Sequence, residues 1–141
     1  MRIFLDTDVI LDCVLARPGF GEDATEILNL CETSGLEGLT STLILENCHY
    51  VFSRQETASK SREVIANLRA LLVVCAVGDR ELGEALVSKF KDLEDGIQHF
   101  TALNNGADVL VTRNIRDFKC SALPILTPHE FLISRQSGNN R

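Results

Sequence analysis

The chain has 141 residues and a mass of 15.6 kDa, which is the size of one domain with a single core. Apolar residues make up 45% of it and charged residues 24%, which excludes a wholly disordered or fibrous chain. The formal net charge of −6 argues against a protein that holds nucleic acid mainly through a general basic surface. This charge is compatible with an enzyme whose acids gather at one metal-binding point.

No segment of the sequence is typical of a membrane span or a secretory signal. The longest apolar run, residues 70–77, is much shorter than the roughly 20 residues that a spanning helix needs. The five cysteines are odd in number, widely separated and without a Cys-x-x-Cys pair, so buried thiols are favoured over disulfides or zinc ligands. We expect a cytoplasmic protein that makes no membrane contact.

Short apolar runs alternate along the chain with stretches of helical periodicity. The predicted strands are residues 3–5, 39–40, 71–77, 109–111 and 123–126. Residues that favour helix starts precede the periodic stretches. The predicted helices begin at residues 6–8, Glu22, Ser41 or Thr42, Thr57, Asp79, Asp92 and Thr127. This alternation predicts an α/β domain of three layers, α/β/α, with a central and mainly parallel sheet, over residues 1–133, followed by a loose polar tail at residues 134–141.

Several acids follow the predicted strands directly. Asp6 and Asp8 come after the first strand, and the polar loop 112–118 comes after the fourth. Ligands of parallel sheets bind beyond the carboxyl ends of the strands, so these side chains are expected at one rim of the domain. Asp108 precedes its strand and is expected at the opposite rim, which excludes it from the site.

Two predicted helices carry further acids. Glu46 lies among apolar residues, and it is either a site residue or a glutamate on a solvated stripe. Asp92 and Asp95 have a structural explanation as the N-cap and third residue of one helix. For Asp95, one turn into that helix, the capping and site interpretations are equally favoured.

Metal-assisted hydrolysis would explain why such acids gather. Cleaving a phosphodiester requires an activated water and relief of negative charge, and Mg²⁺ or Mn²⁺ supplies both through oxygen ligands. Carboxylates about 4 Å apart repel each other by roughly 4 kcal/mol at an effective dielectric near 20. A cluster of Asp6, Glu46, Asp95 and an acid of the loop 112–118 therefore implies a cation, provided that the side chains converge.

The order and spacing of these motifs resemble those of PIN-domain nucleases, small metal-dependent ribonucleases that include VapC-type toxins. The resemblance extends from Ile3 to Leu132. The motifs that carry it are residues 4–9, Glu46, residues 92–95, residues 106–118 and residues 124–132.

This resemblance implies a PIN-like fold and an endoribonuclease that uses Mg²⁺ or Mn²⁺ to hydrolyse single-stranded RNA. It also implies an antitoxin protein as partner and a homodimer. Asp6, Glu46 and Asp95 match the core metal-binding acids of the family. Asn114 stands where many members have an acid, and Asp117 is the other candidate for the fourth ligand.

Other residues are expected to support the site. The resemblance implies that Thr112, Asp8 and Asp92 orient the ligands or water around it, and Asp8 stands where asparagine is common in the family. The cations beside the acidic loop are expected either to hold flanking phosphates or to be ordinary solvated charges. These cations are Arg113, Arg116 and Lys119.

Two alternatives remain. Asn114 leaves open a weakly active or inactive PIN-like domain that binds RNA or a protein partner. A haloacid-dehalogenase-like phosphatase is the other alternative, because Asp6 and Asp8 after a strand match the nucleophile and acid of that superfamily.

Overall fold

The computed structural model describes residues 1–139, and within them five strands form a single sheet. The strands are β1 (Arg2–Leu5), β2 (Glu37–Ser41), β3 (Val73–Cys75), β4 (Val109–Val111) and β5 (Ile125–Leu126). The α-helices are α1 (Thr7–Val14), α2 (Gly21–Thr33), α3 (Thr42–Gln55), α4 (Ala58–Leu71), α5 (Asp79–Leu86), α6 (Leu93–Asn104) and α7 (Pro128–Asn139), and a 3-10 helix covers Ile115–Phe118. The predicted three-layer α/β/α fold is confirmed.

The sheet has the order β3-β2-β1-β4-β5, and every neighbouring pair is parallel. β1 is central, with Phe4 level with Leu39 of β2 and Leu110 of β4. All three of these side chains are fully buried, as expected for strands covered by helices on both faces. The chain runs from β1 through β2 to β3 and then crosses back to β4, so the connections reverse direction beside β1. Ligand sites of open parallel sheets lie at such reversals, at the carboxyl ends of the strands.

Several helices begin as the sequence predicts. Ser41 Oγ accepts a hydrogen bond from the Ile44 amide at 3.1 Å, and Thr57 Oγ1 accepts one from the Lys60 amide at 3.1 Å. Asp92 caps α6, since its Oδ1 accepts from the amide nitrogen three residues later. These side chains satisfy amide groups that the helices themselves leave unpaired.

The third strand is shorter than predicted. The apolar run 71–77 was expected to be extended, but Leu71 is the last residue of α4 and the Leu72 amide donates to the Leu68 carbonyl. Only Val73–Cys75 pairs with β2. An apolar run does not by itself distinguish a buried helix end from a strand, and here the helix extends into it.

The last helix extends through most of the segment that was predicted to be a loose tail. Residues 134–139 continue α7, whereas residues 140 and 141 lie outside the described part of the chain. Thr127 caps this helix by accepting from the Glu130 amide at 3.1 Å, and the buried Phe131 anchors it. Arg135 Nη2 adds a hydrogen bond to Ser34 Oγ at 3.4 Å.

Two expectations from composition can be compared with the described residues. All five cysteines are free thiols, as predicted, but only Cys48 and Cys75 are buried, and Cys120 is exposed. Among residues 1–139, no helix combines the length and apolar character that crossing a bilayer requires.

Candidate metal centre

Asp6 lies at the switch point of the sheet. It follows β1 directly and forms the N-cap of α1, and only 7% of it is exposed. Its Oδ1 accepts from the Thr7 amide at 2.7 Å, and its Oδ2 accepts from the Thr112 hydroxyl at 2.8 Å. Thr112 follows β4, so two neighbouring strands fix the position of this carboxylate.

A cleft of about 240 Å³ opens beside Asp6, and we call it the acid cleft. Four carboxylates line it, and they come from the start of α1 and the first turn of α6. These acids are Asp6, Asp8, Glu94 and Asp95. Asn114 from the loop after β4 also lines the cleft. The fold thus brings together residues separated by about a hundred positions in the sequence.

Three carboxylates of the acid cleft, those of Asp6, Asp8 and Asp95, have raised pKa values. Burial, followed by the charge of Asp6, raises the pKa of Asp8 to about 7. Burial also raises the pKa of Asp95 to about 7, and the charges of Asp92, Asp6, Asp117 and Glu94 add to this rise. Burial raises the pKa of Asp6 as well, against the lowering effect of its hydrogen bonds. Burial is the main cause of all three rises, and repulsion between neighbouring carboxylates adds to it.

Asn114, one of the two candidates for the fourth ligand, directs its side-chain amide at another acid. Its Nδ2 donates to Asp8 Oδ2 at 2.9 Å, and its backbone amide donates to Thr112 Oγ1 at 3.0 Å. The Oδ1 of Asp8 is buried without a hydrogen-bond partner. Asn114 thus holds Asp8 through Oδ2, and a backbone hydrogen bond from Arg113 lowers the pKa of the same carboxyl.

Asp117 and Asp92 lie at the edge of this arrangement. Asp117 is exposed in the 3-10 helix and lines a neighbouring cleft together with Asp95. Its charge nevertheless helps to raise the pKa of both Asp6 and Asp95. Asp92 Oδ1 accepts from the Asp95 amide at 3.0 Å, so it orients the first turn of α6.

Glu46 is exposed on α3 and is not among the residues that line the acid cleft. Its neighbour Asn47 points toward that cleft, since Asn47 Nδ2 donates to Glu94 Oε1 at 2.7 Å. Glu94 is the acid that the sequence analysis missed. The signal in the sequence was its position in the first turn of α6, one residue before Asp95. In the structure Gln98 Nε2, one turn later, is a second donor to Glu94 Oε1, at 3.3 Å.

The donor atoms suit a hard divalent cation, although they are not gathered at bonding distance. Within residues 1–139, no three Asp, Glu, His or Cys side chains are close enough together to hold a metal ion. Uncompensated carboxylates repel one another, which favours this spread arrangement. The all-oxygen donor set and the free Oδ1 of Asp8 fit Mg²⁺ or Mn²⁺. Binding such an ion requires the carboxylates to move together.

The three cations predicted to bind RNA do not lie together. Arg113 Nε is 2.7 Å from Oδ2 of Asp12, a fully buried acid of α1, and its guanidinium lies 4.0 Å from the centre of the Phe20 ring. Arg116 and Lys119 instead line the cleft beside Asp95. Arg113 is therefore engaged inside the protein, and it is separated from the other two.

Asp12 also contacts a second cation that the sequence analysis did not single out. Arg17 Nη1 is 3.3 Å from Asp12 Oδ1, and Arg17 lines the acid cleft as well. The signal in the sequence was a charged residue amid the apolar positions of α1. This feature indicates a buried acid that needs a partner.

The fold and the acid cleft define an α/β protein with an acidic site at the carboxyl edge of its sheet. A family model described as "PIN domain" matches residues 2–116. The chain belongs to the PIN domain family.

Individual relatives agree with this assignment. The chain is 24% identical to Ribonuclease VapC1 of Aquifex aeolicus (strain VF5) over 135 residues. This alignment covers 92% of each of the two chains. Its fold is similar to that of VapBC2 from Rickettsia felis bound to a DNA fragment from their promoter, with a TM-score of 0.66, 17% identity, and coverage of 89% of this chain and 97% of that one. It is also similar to Mycobacterium tuberculosis VapC20, a sarcin–ricin-loop-cleaving toxin, with a TM-score of 0.62, 17% identity, and coverage of 77% and 86%.

These structural likenesses show the fold. The phosphatase alternative built on Asp6 and Asp8 receives no support from them or from the family match.

Proposed function

We propose that this protein is a divalent-metal-dependent endoribonuclease that hydrolyses single-stranded RNA, and that it acts as the toxin of a toxin–antitoxin pair. The observation that carries the proposal is the acid cleft, in which Asp6, Asp8, Glu94 and Asp95 surround an open volume of about 240 Å³. Burial and mutual repulsion raise the pKa of Asp8 and Asp95 to about 7, which is the cost of gathering acids without a cation. Membership of the PIN domain family and likeness to a protein named as a ribonuclease support the same chemistry.

Asp6 and Asp95 would hold the cation, together with Glu46, whose role rests on the family resemblance. A bound Mg²⁺ or Mn²⁺ supplies an activated water and neutralises charge on the phosphate. Thr112 keeps the Asp6 carboxylate in position through its 2.8 Å hydrogen bond. Asp8 holds the side chain of Asn114 at the cleft.

For the fourth ligand, the geometry favours Asn114 over Asp117. Asn114 lines the acid cleft, whereas Asp117 lines the neighbouring one. The Nδ2 of Asn114 donates to Asp8, which leaves its amide oxygen as a neutral ligand. A neutral ligand binds a divalent cation more weakly than a carboxylate does. Asp117 then adds its charge from a greater distance.

Attack by water distinguishes this mechanism from that of ribonucleases that use the 2′-hydroxyl. The products are expected to carry a 5′-phosphate and a 3′-hydroxyl. The described histidines do not contribute to the acid cleft, so the carboxylates around Asp6 and the cation would perform the acid–base work.

A protein partner is the second part of the proposal. Solved structures similar to this chain include toxin–antitoxin complexes from Rickettsia felis and Klebsiella pneumoniae, so we propose an antitoxin that covers the acid cleft. We also propose a homodimer. The end of α5 exposes apolar side chains suited to a protein contact, with Leu86 64% and Val87 88% exposed.

The decisive test incubates the purified chain with a single-stranded RNA in Mg²⁺, in Mn²⁺ and in chelator. Cleavage is expected only with the metals, and mapping of the product ends should show 5′-phosphates. Metal at 100 times its dissociation constant should also stabilise the protein by about 2.7 kcal/mol in thermal unfolding.

Two results would contradict the proposal. Cleavage that persists in chelator would exclude metal dependence. RNA binding without cleavage in the presence of either metal would favour an inactive domain that binds RNA. That alternative rests on the neutral Asn114 and on the separation of the carboxylates.

A further inference from the structure

A second cleft, of about 280 Å³, adjoins the acid cleft. One wall is the segment between α5 and α6, and the other is the 3-10 helix with the residues that follow it. Asp95 lines both clefts, so the second cleft leads directly to the candidate metal centre.

This second cleft is rich in cations, and we call it the basic cleft. Its cationic lining residues are Lys89, Lys91, Arg116 and Lys119. All four are exposed, and in the described part of the chain none lies within 4.0 Å of a carboxylate oxygen. Three acids, Asp92, Asp95 and Asp117, also line this cleft, so its cations exceed its acids by one. In the whole chain the acids exceed the lysines and arginines by six, 20 against 14, so the balance of charge is reversed here.

The two walls of the basic cleft are joined to each other. The Cys120 thiol donates to the Lys89 carbonyl at 3.6 Å, which links the wall after the 3-10 helix to the wall before α6. The Ala122 amide donates to Nε2 of the buried His99 at 3.1 Å. Phe90 packs against His99, with their ring centroids 4.9 Å apart. The lysines therefore extend from a fixed base.

Unpaired cations beside an acidic site reduce the repulsion between that site and a negatively charged strand. A single RNA strand carries one negative charge per nucleotide, and the acid cleft without a cation repels it. Cations placed next to that cleft offset the repulsion and hold the strand through its phosphates, which carry no base sequence.

We propose that the basic cleft binds the phosphate backbone of the RNA next to the scissile bond. Lys89 and Lys91 form one side of this binding site, and Arg116 and Lys119 form the other. The proposal rests on the ribonuclease function proposed above, and it assigns Lys89 and Lys91, which lie outside every motif of the sequence analysis, a role in holding substrate.

The test uses two double variants, K89Q/K91Q and R116Q/K119Q. The matched control is R62Q/R69Q, which removes the same charge from exposed positions on α4. The affinity for a labelled single-stranded RNA is measured by fluorescence anisotropy in chelator, so that cleavage does not contribute. Thermal unfolding verifies that each variant is folded.

Each basic-cleft variant is expected to bind RNA roughly tenfold more weakly than the wild type, as the loss of two phosphate contacts predicts. The slope of log affinity against log salt should fall by about 1.4, since each phosphate contact on a single strand contributes about 0.7. The control should change affinity by less than twofold. Equal weakening in the control, or wild-type affinity in both double variants, would overturn the proposal.

A second measurement uses Cys120, the exposed thiol of the basic cleft. RNA should slow its alkylation, and Cys13 on α1 should react at the same rate with and without RNA. Unchanged alkylation of Cys120 at saturating RNA would contradict the proposed path. Competition by a poly-glutamate peptide as effective as that by RNA would assign the cleft to an acidic protein segment instead.

These outcomes separate the two proposals. A wild-type chain that binds RNA through the basic cleft but never cleaves it would refute the ribonuclease function alone. A chain that cleaves RNA while both double variants retain full affinity would refute the basic cleft alone.

Discussion

Helix α1 and its N-cap residue present two kinds of acid within two turns. Asp6 and Asp8 face the acid cleft, where their neighbours include further carboxylates. Asp12 is fully buried, and it lies 2.7 Å from Arg113 and 3.3 Å from Arg17. The same residue type on the same helix therefore lies once among like charges and once among opposite charges.

Asp12 therefore has a structural role, whereas Asp6 and Asp8 are candidates for a role in function. Two guanidinium groups neutralise Asp12, so its burial stabilises the connection between α1 and the loop after β4. Asp8 has a pKa raised to about 7, largely by burial and by the charge of Asp6. The Asn114 amide and the Arg113 charge offset this rise only in part, and the cation proposed above would favour the deprotonated carboxylate further.

The largest effect is expected for the uncompensated acids. D6N and D95N should each lower ribonuclease activity by about 10²–10³-fold or more, the range for removing a group that stabilises developing charge. The metal-free variants should be at least as stable as the wild type, since an amide relieves repulsion. Product formation at saturating metal measures the first effect, and thermal unfolding measures the second.

D108N is the matched control for these variants. Asp108 accepts from the Arg2 amide at the opposite edge of the sheet, so its loss should leave activity unchanged. If D95N retained wild-type turnover, Asp95 would be a capping residue only.

Asp12, whose charge two guanidinium groups compensate, should show the reverse pattern, because its replacement should lower stability. D12N leaves two guanidinium groups without their carboxylate, which costs about 3–5 kcal/mol when a pair is fully buried. Arg17 and Arg113 have side chains 33% and 29% exposed, so we expect a loss of about 2–3 kcal/mol. Urea unfolding measures this loss.

D23N is the control for D12N, because Asp23 is an acid of α2 whose ion pair, at 3.4 Å, is with the exposed His129. It should change stability by less than about 0.5 kcal/mol, as most surface substitutions do. Equal losses of stability in D12N and D23N would show that the Asp12 cluster contributes no more to stability than the ion pair of Asp23.

A smaller effect should distinguish the two glutamates near the site. E46Q should lower activity about 10–100-fold if it removes or misorients a metal ligand. E94Q should lower it less than tenfold, because Asn47 and Gln98 already hold Glu94 through hydrogen bonds. Metal titrations of both variants measure the change in affinity. The opposite ranking would make Glu94 the ligand and Glu46 a surface residue.

A further effect is expected in the pH dependence of stability without metal. The pKa of Asp8 and of Asp95 is about 7 in the folded protein, against 3.8 for a free carboxyl. The folded state therefore binds more protons than the unfolded state between these values, and stability should fall as pH rises from about 4 to about 7.

The pH dependence should change when a cation binds, because the ion favours the deprotonated carboxylates. The stabilisation that Mg²⁺ or Mn²⁺ provides is expected to grow with pH up to about 7 and then level off. Thermal unfolding at several pH values, with and without metal, measures both trends. D95N should flatten the metal-free curve, and an unaltered slope in that variant would contradict the raised pKa.

The sequence by itself determined the parallel sheet, because buried strands read as short apolar runs and helix starts carry capping residues. It also determined that Asp6 and the loop after β4 share one rim, since the carboxyl ends of parallel strands meet there. Both inferences depend on local pattern and on a general rule of topology.

Only the tertiary structure decided which charges meet. It placed Asp8 against Asn114, Glu94 at the acid cleft and Arg113 against the buried Asp12. Arg113 and Arg116 are three positions apart in the sequence, yet one pairs with the buried Asp12 and the other lines the basic cleft. Charge compensation depends on distances of a few ångströms between side chains far apart in the chain, and local sequence does not encode those distances.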